Sequence, residues 1–151
     1  MFAIDEKANT IIFFGGARVT ASFARLLYLL AVQHRVDLQN KVQNKRFEYI
    51  KTADLVRELG VDEQSLRQQV LRCRKWLSRS LKKILGRAPG RDEVIESKKW
   101  TGYRLNPRMV LVDSAQLSEA EAIGRAPLFQ HLPESSYPPP ARDPSAAASR
   151  L

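Results

Sequence analysis

A chain of 151 residues has room for one domain and a short appendage, and its 44% hydrophobic content suffices to bury a core. Its 25 Lys and Arg outnumber 16 Asp and Glu to give a net charge of +9, an excess that favours a polyanionic partner. A single cysteine excludes an internal disulfide, and with two widely separated histidines it leaves no cluster at metal-ligand spacing, so neither metal nor cofactor is expected.

The chain opens with Phe2 to Asp5, Ile11 to Phe14 and Ala17 to Thr20, short runs with β-branched and aromatic residues that predict two or three small strands, with Gly15 and Gly16 as a hairpin turn. From Ser22 to Gln33, the spacing of Phe23, Leu26, Leu27, Leu30 and Ala31 predicts a core-facing helix. The polar stretch from His34 to Lys45 carries no clear signal, and Phe47 to Ile50 alternates enough for another short strand. Thr52 is placed to cap a second helix, whose core face is Leu55, Val56 and Leu59. Gly60 stops it, and Asp62 caps a third helix that runs to about Leu85. Gly86, Pro89 and Gly90 mark a loop. Next, Glu93 to Ser97 and Thr101 to Leu105 bracket Lys98, Lys99 and Trp100 as a β-hairpin with a basic tip. Met109 to Val112 adds a strand, and Ser118 to Ile123 a short helix.

From Ala126 onward, Pro133, Pro138, Pro139, Pro140 and Pro144 crowd with serines and alanines, and no apolar period survives. That composition predicts a mobile tail with nothing to pack and no role in folding. The expected division is therefore a domain over 1–112, a helical appendage over 113–125 and a disordered Pro/Ser/Ala-rich tail over 126–151. The longest apolar run, Leu26 to Val32, is too short to cross a membrane, and Asp5, Glu6 and Lys7 do not suit a signal peptide. A soluble cytoplasmic protein with no membrane partner is expected.

The positive charge is concentrated. Residues 62–108 hold thirteen basic and five acidic side chains, and Arg67 to Arg91 alone holds nine basic and no acidic ones. This stretch follows two predicted helices joined at Gly60, the arrangement of a helix-turn-helix, with Val56 and Leu66 placed to pack in the crook. At about 100° per residue, Leu66, Val70, Cys73, Leu77, Leu81 and Ile84 form one apolar stripe on the third helix. Gln64, Gln68, Arg72, Lys75, Arg79 and Lys82 fall opposite, with Leu71 the one apolar residue among them, and Trp76 lies at the edge of the core stripe. Cys73 on the stripe reads as a small apolar filler.

That outward face has the chemistry of DNA readout. Glutamine can hold adenine and arginine can hold guanine through paired hydrogen bonds, while lysine suits phosphate. Gln64, Gln68 and Arg72, nearest the helix start, are assigned to base edges, and Arg67, Lys75, Arg79 and Lys82 to the backbone.

The N-terminal strands leading to the Ser22 helix, the stretch Leu66 to Leu77 with Arg74, and the hairpin closing on Gly102, Tyr103, Arg104 and Leu105 resemble the effector domain of OmpR/PhoB-type transcriptional regulators. The resemblance covers about residues 2–105. It implies an α+β winged helix-turn-helix fold: a three-helix core with small N-terminal strands and a C-terminal hairpin wing. In that arrangement Lys98, Lys99 and Trp100 sit at the wing tip, on the backbone or minor groove. The segment from His34 to Lys51 is longer than the family's connection, the turn at Gly60 is tighter, and no receiver domain is present, so phosphorylation control is not implied.

The expectation is a bacterial-type regulator that binds double-stranded DNA sequence-specifically, associated with the nucleoid when bound. No phosphate-binding glycine loop, metal-ligand spacing or nucleophile–histidine pair points to an enzyme, so no catalytic residue is assigned. Asp92, Glu93 and Glu96 are expected to form local salt bridges beside the hairpin. The alternatives are a winged-helix module that binds protein, for which Leu71 and Trp76 are the hints, and a binder of structured RNA. A homodimer and a protein partner for the tail are both compatible with the sequence.

Overall fold

The short apolar runs at the start of the chain pair with one another and then with a strand from far along the sequence. A computed structural model describes residues 1–15, 18–124 and 128–129. Strand β1 (Phe2–Asp5) lies antiparallel to β2 (Thr10–Phe13), with Phe2 opposite Phe13, and the turn between them closes at Asn9 in the left-handed region. After β2 the chain reverses at Gly15 (φ +88°), and Arg18 bridges back to Ile12. Of the strand expected over Ala17 to Thr20, this bridge is all that forms among the described residues, and Gly16 and Ala17 lie outside them.

Helix α1 (Ala24–Gln39) extends well past the expected end at Gln33. It packs against β2 and against a later strand, burying Leu26, Leu27, Leu30, Ala31, His34 and Asp37 on one face. The last two conceal the helix in sequence because they are polar, yet each has partners. The His34 Nε2–H donates to the Met109 carbonyl oxygen at 3.0 Å, between the rings of Phe2 and Phe47. The Asp37 carboxylate accepts from Gln33 Nε2 at 3.3 Å and from the Glu48 backbone N–H at 3.0 Å.

These anchors also explain why Phe47 to Ile50 is not a full strand. A single 3-10 turn spans Asn44–Arg46, Phe47 is buried, and the Glu48 N–H is taken by Asp37. Only β3 (Ile50–Lys51) pairs with a neighbour, and it runs directly into α2 (Thr52–Leu59). Thr52 is consequently the first helical residue, not the cap; Lys51 occupies the cap position without a side-chain bond, and the Thr52 N–H donates to the Thr101 carbonyl.

Gly60 ends α2 in the left-handed conformation (φ +64°), and the Val61 N–H reaches back to the Val56 carbonyl. Asp62 then caps α3 (Glu63–Ser80), its carboxylate accepting from the Ser65 N–H at 2.7 Å. The third helix expected over 62–85 breaks at Leu81, and a further turn, α4 (Lys82–Leu85), follows. Leu66, Val70, Cys73, Leu77 and Leu81 are buried as the stripe predicts; Ile84 is half-buried against the core. Burial pushes the Cys73 thiol far above its ordinary range, in keeping with a filler role.

A second sheet has the order β3-β5-β4, built from β4 (Ile95–Lys98) and β5 (Gly102–Leu105) with β3 against β5. Its closest approach is at Gly102, where a Cβ would overlap the Ile50 carbonyl oxygen, so only glycine lets β3 and β5 meet. β6 (Leu111–Val112) returns parallel to β1, giving the first sheet its order β2-β1-β6. Helix α5 (Ser114–Ile123) starts four residues earlier than expected, because Asp113 and Gln116 form a capping box. The architecture is mixed α+β, with five α-helices and two small sheets among the described residues.

Packing continues past residue 126. Leu128 is 2% exposed, its carbonyl accepts from the Val110 N–H at 2.9 Å, and Phe129 bridges to Met109. The expectation of a tail without packing from Ala126 onward therefore fails at these two residues; 130–151 lie outside the described residues.

Two outcomes follow. Leu128→Ala should lower stability by about 2–5 kcal/mol in chemical denaturation, the range for a truncated core leucine. Burial holds the His34 imidazole below its ordinary pKa of 6.5, so the folded state favours the neutral ring. A depressed base is most stabilising above its unfolded pKa, and that stability is lost as pH falls through it. Thermal melts from about pH 7 to about pH 5 should therefore fall more steeply for the native chain than for His34→Gln, which keeps an N–H donor but does not titrate.

Candidate nucleic-acid interface

The charge of the middle third divides into two groups once folded. Arg74, Arg87 and Arg104 are tied down: Arg74 to Asp92 at 2.9 Å, Arg87 to Glu93 at 2.7 Å and Arg104 to Glu96 at 2.8 Å. These are the local pairs expected of the three carboxylates. By contrast, among the described residues Arg67, Arg72, Lys75, Arg79, Lys82 and Lys83 form no ion pair, and all six are exposed.

The helical period places these free cations. Gln64, Gln68 and Arg72 line one shallow depression beside Ser22 and Val61, so the three residues assigned to base edges share a single surface. Arg67, Gln68, Leu71 and Lys75 border a larger groove of about 800 Å³, walled on its other side by Pro89 to Arg91 and by Ser97 and Tyr103 of the hairpin. Leu71 is 49% exposed in the midst of this polar face. Arg79 and Lys82 are exposed but border neither surface, and Lys82 lies beyond the break at Leu81. Trp76 is turned inward, against Phe13 and Phe23.

The hairpin is fixed to α3 by Arg74, whose side chain is only 14% exposed. Its Nη2 donates to the Asp92 carboxylate, to the Ile95 carbonyl at 3.0 Å and towards Ser97 Oγ at 3.4 Å, so one guanidinium spans the start of β4. On the far face of the hairpin, Arg104 stacks 4.3 Å from the Tyr49 ring, bonds Glu96 and donates to the Phe47 carbonyl at 2.7 Å. Lys98 Nζ lies 5.9 Å from the centre of the same ring.

At the tip, Thr101 N–H donates to the Lys98 carbonyl at 3.0 Å, closing a turn around Lys99 and Trp100. Trp100 is 94% exposed and adopts φ +64°, a conformation that costs a non-glycine residue about 1–3 kcal/mol. Its one ring contact among the described residues is Lys99 Nζ, 5.5 Å from the ring centre. Lys98, Lys99 and Trp100 share a groove of about 940 Å³ with Lys51, Arg67 and Arg91, and with the carboxylates Glu63 and Asp92. The hairpin tip thus stands beside the first turns of α3.

Lys51 and Arg91 were not singled out in sequence. Arg91 ends the basic run and carried some signal; Lys51 carried none, because its position depends on the register that sets it opposite Gly102. Arg74 was legible only through the family resemblance, as an arginine without a stated partner.

Among the described residues no cluster of His, Cys, Asp and Glu could hold a metal ion, and no helix is long and apolar enough to cross a membrane. Comparison with family models, curated proteins and solved structures returned no match.

The Arg74 brace can be tested directly. Arg74→Ala should cost about 1–3 kcal/mol of stability in urea denaturation, the range for losing hydrogen bonds to a charged, mostly buried donor. Arg74→Lys should recover only part of it, since a shorter side chain with a more strongly hydrated ammonium must reach the same three acceptors from a mostly buried position.

Proposed function

We propose that this chain is a sequence-specific, double-stranded-DNA-binding transcriptional regulator with a winged helix-turn-helix fold, acting without catalytic chemistry. In this reading α2 and α3, joined at Gly60, are the helix-turn-helix, and β4–β5 is the wing. The observation that carries it is the exposed surface of α3, where Gln64, Gln68, Arg72 and Lys75 make no bond to a carboxylate among the described residues and where Arg67 shares a groove with the cationic hairpin tip. An α-helix is the element that fits a major groove, and this one offers the side chains that read adenine and guanine edges. Gln64, Gln68 and Arg72 read bases; Arg67, Lys75, Arg79 and Lys82 neutralise phosphates along the helix and past its end; Lys98 and Lys99 do so at the wing. A cytoplasmic, nucleoid-associated protein follows from that role, and an inverted-repeat operator would imply a homodimer.

Leu71 and Trp100 favour a second reading, a winged-helix module that docks on protein, because both expose apolar surface. Structured RNA shares the phosphate attraction. Selection from random duplexes, with random RNA as competitor, separates these readings.

Affinity for duplex DNA should fall steeply with salt, each neutralised phosphate contributing about −0.9 to the slope of log affinity against log salt. Arg72→Ala should weaken the selected site by about 1–3 kcal/mol and relax preference at one position. Lys98→Ala with Lys99→Ala should weaken all duplexes similarly and flatten the salt slope. If both variants bind DNA as the native chain does, the protein-docking reading takes its place.

A further inference from the structure

Nothing in the fold accounts for Trp100. It is the most exposed large apolar side chain among the described residues, at 94%, and it buries nothing of the core. It also occupies a turn position with φ +64°, where glycine or asparagine would be free of strain. A bulky indole placed there destabilises the isolated domain twice over, through its backbone and through its hydration. A bound partner that buries the indole would offset that cost.

The surroundings identify the partner's chemistry. Lys51, Arg67, Arg91, Lys98 and Lys99 ring the groove beside the indole, against the carboxylates Glu63 and Asp92, and Asp92 is already engaged by Arg74. A polyanion is therefore drawn to the tip. The indole then requires a flat apolar surface amid phosphates, and in nucleic acid that surface is the face of a base.

Position narrows the choice to a duplex. The tip lines one groove together with Glu63 and Arg67, at the beginning of α3. With α3 in a major groove, a hairpin tip beside its first turns reaches across the phosphate backbone to the adjoining minor groove. Apolar wedges entering a minor groove unstack a base step and kink the helix.

We propose that Trp100 is a wedge: its indole enters a base step next to the site read by α3 and stacks on a nucleobase there, bending the duplex, while Lys98 and Lys99 hold the flanking phosphates. This rests on the DNA-binding reading above and assigns Trp100 a role distinct from phosphate attraction.

The variants for the test are Trp100→Gly, Trp100→Ala and Trp100→Phe in the full chain. Trp100→Gly relieves the backbone, so its melting temperature should equal or exceed that of the native chain, and lost function cannot then be ascribed to misfolding. The probe is a short duplex from the selected pool, with dyes at its ends to report bending and permanganate to report unstacked thymines. The native chain should bend it and expose one step, and Trp100→Phe should retain most of both effects. Trp100→Gly and Trp100→Ala should lose them and bind about 5- to 150-fold more weakly. Lys98→Ala with Lys99→Ala should weaken binding while leaving the permanganate signal at saturation.

If the native chain binds no duplex, the reading of α3 falls and the wedge with it. If it binds but Trp100→Gly bends and binds equally well, the wedge alone is overturned. A Trp100 effect confined to the single-stranded form of the probe, or to phosphatidylserine vesicles, likewise overturns it.

Discussion

The Arg74 guanidinium is the point on which the geometry of the exposed surface turns. A helix and a two-stranded hairpin have few apolar residues to share at their far ends, where Ser97, Lys98 and Lys99 are all exposed. Burial of Ile95 and Leu105 fixes only the base of the hairpin. Arg74 extends that attachment one step further, because its Nη2 alone reaches a carboxylate just before the incoming strand and a backbone carbonyl and a hydroxyl on it. The guanidinium is only 14% exposed and its buried Nε has no hydrogen-bond partner among the described residues, so its charge relies on the Nη2 bonds, and removing their acceptors would leave it uncompensated.

The same economy governs the remaining carboxylates. Asp92, Glu93 and Glu96 precede or lie on β4 and each engages an arginine of the neighbouring scaffold, so the acidic charge of this region is spent internally. The field beyond the surface is then set by the cations of α3 that have no such partner. A uniformly mixed surface would cancel within about a Debye length, whereas here the unpaired cations outnumber the exposed carboxylates Asp62 and Glu63 at the start of α3 and leave an excess of positive charge on this surface. Gly102 contributes from the opposite side. By letting β3 approach β5 it brings Lys51 and the start of α2 beside the hairpin tip, and the cationic groove forms there.

Legibility in the sequence followed burial chemistry. The stripe of Leu66, Val70, Cys73, Leu77 and Leu81, the left-handed stop at Gly60, the cap at Asp62 and the hairpin around Lys99 were all readable, because apolar period and turn chemistry are local signals. Failures came where polar residues are buried. His34 and Asp37 interrupt the apolar period of α1, and only their distant partners, the Met109 carbonyl and the Glu48 N–H, make them compatible with a core. Phe47 to Ile50 alternates like a strand, but one anchor from α1 diverts its backbone. Leu128 stands in a proline-rich neighbourhood whose composition masks a single well-packed residue. For the candidate surface, winding alone predicted that Gln64, Gln68, Arg72, Lys75, Arg79 and Lys82 would be exposed, but not that they divide between separate surfaces. The relation of α3 to Lys51, Arg91 and the hairpin tip was not legible either, since it depends on sheet register.

Rigidity links these observations to binding. Two recognition elements joined by a flexible hinge would each lose conformational freedom on meeting a ligand, and the second would gain little from the first. Here α3 and the hairpin share a core through Leu77, Ile95 and Leu105 and share the Arg74 bonds, so their separation is set before any partner arrives. A preset separation between a helix and a neighbouring tip suits a partner that is itself regular, whose grooves recur at a fixed spacing. An unstructured peptide would conform to either element alone and would draw no advantage from their fixed distance. Under the DNA-binding proposal, this braced geometry is the feature, more than the net charge, that would suit a duplex better than a pliable polyanion.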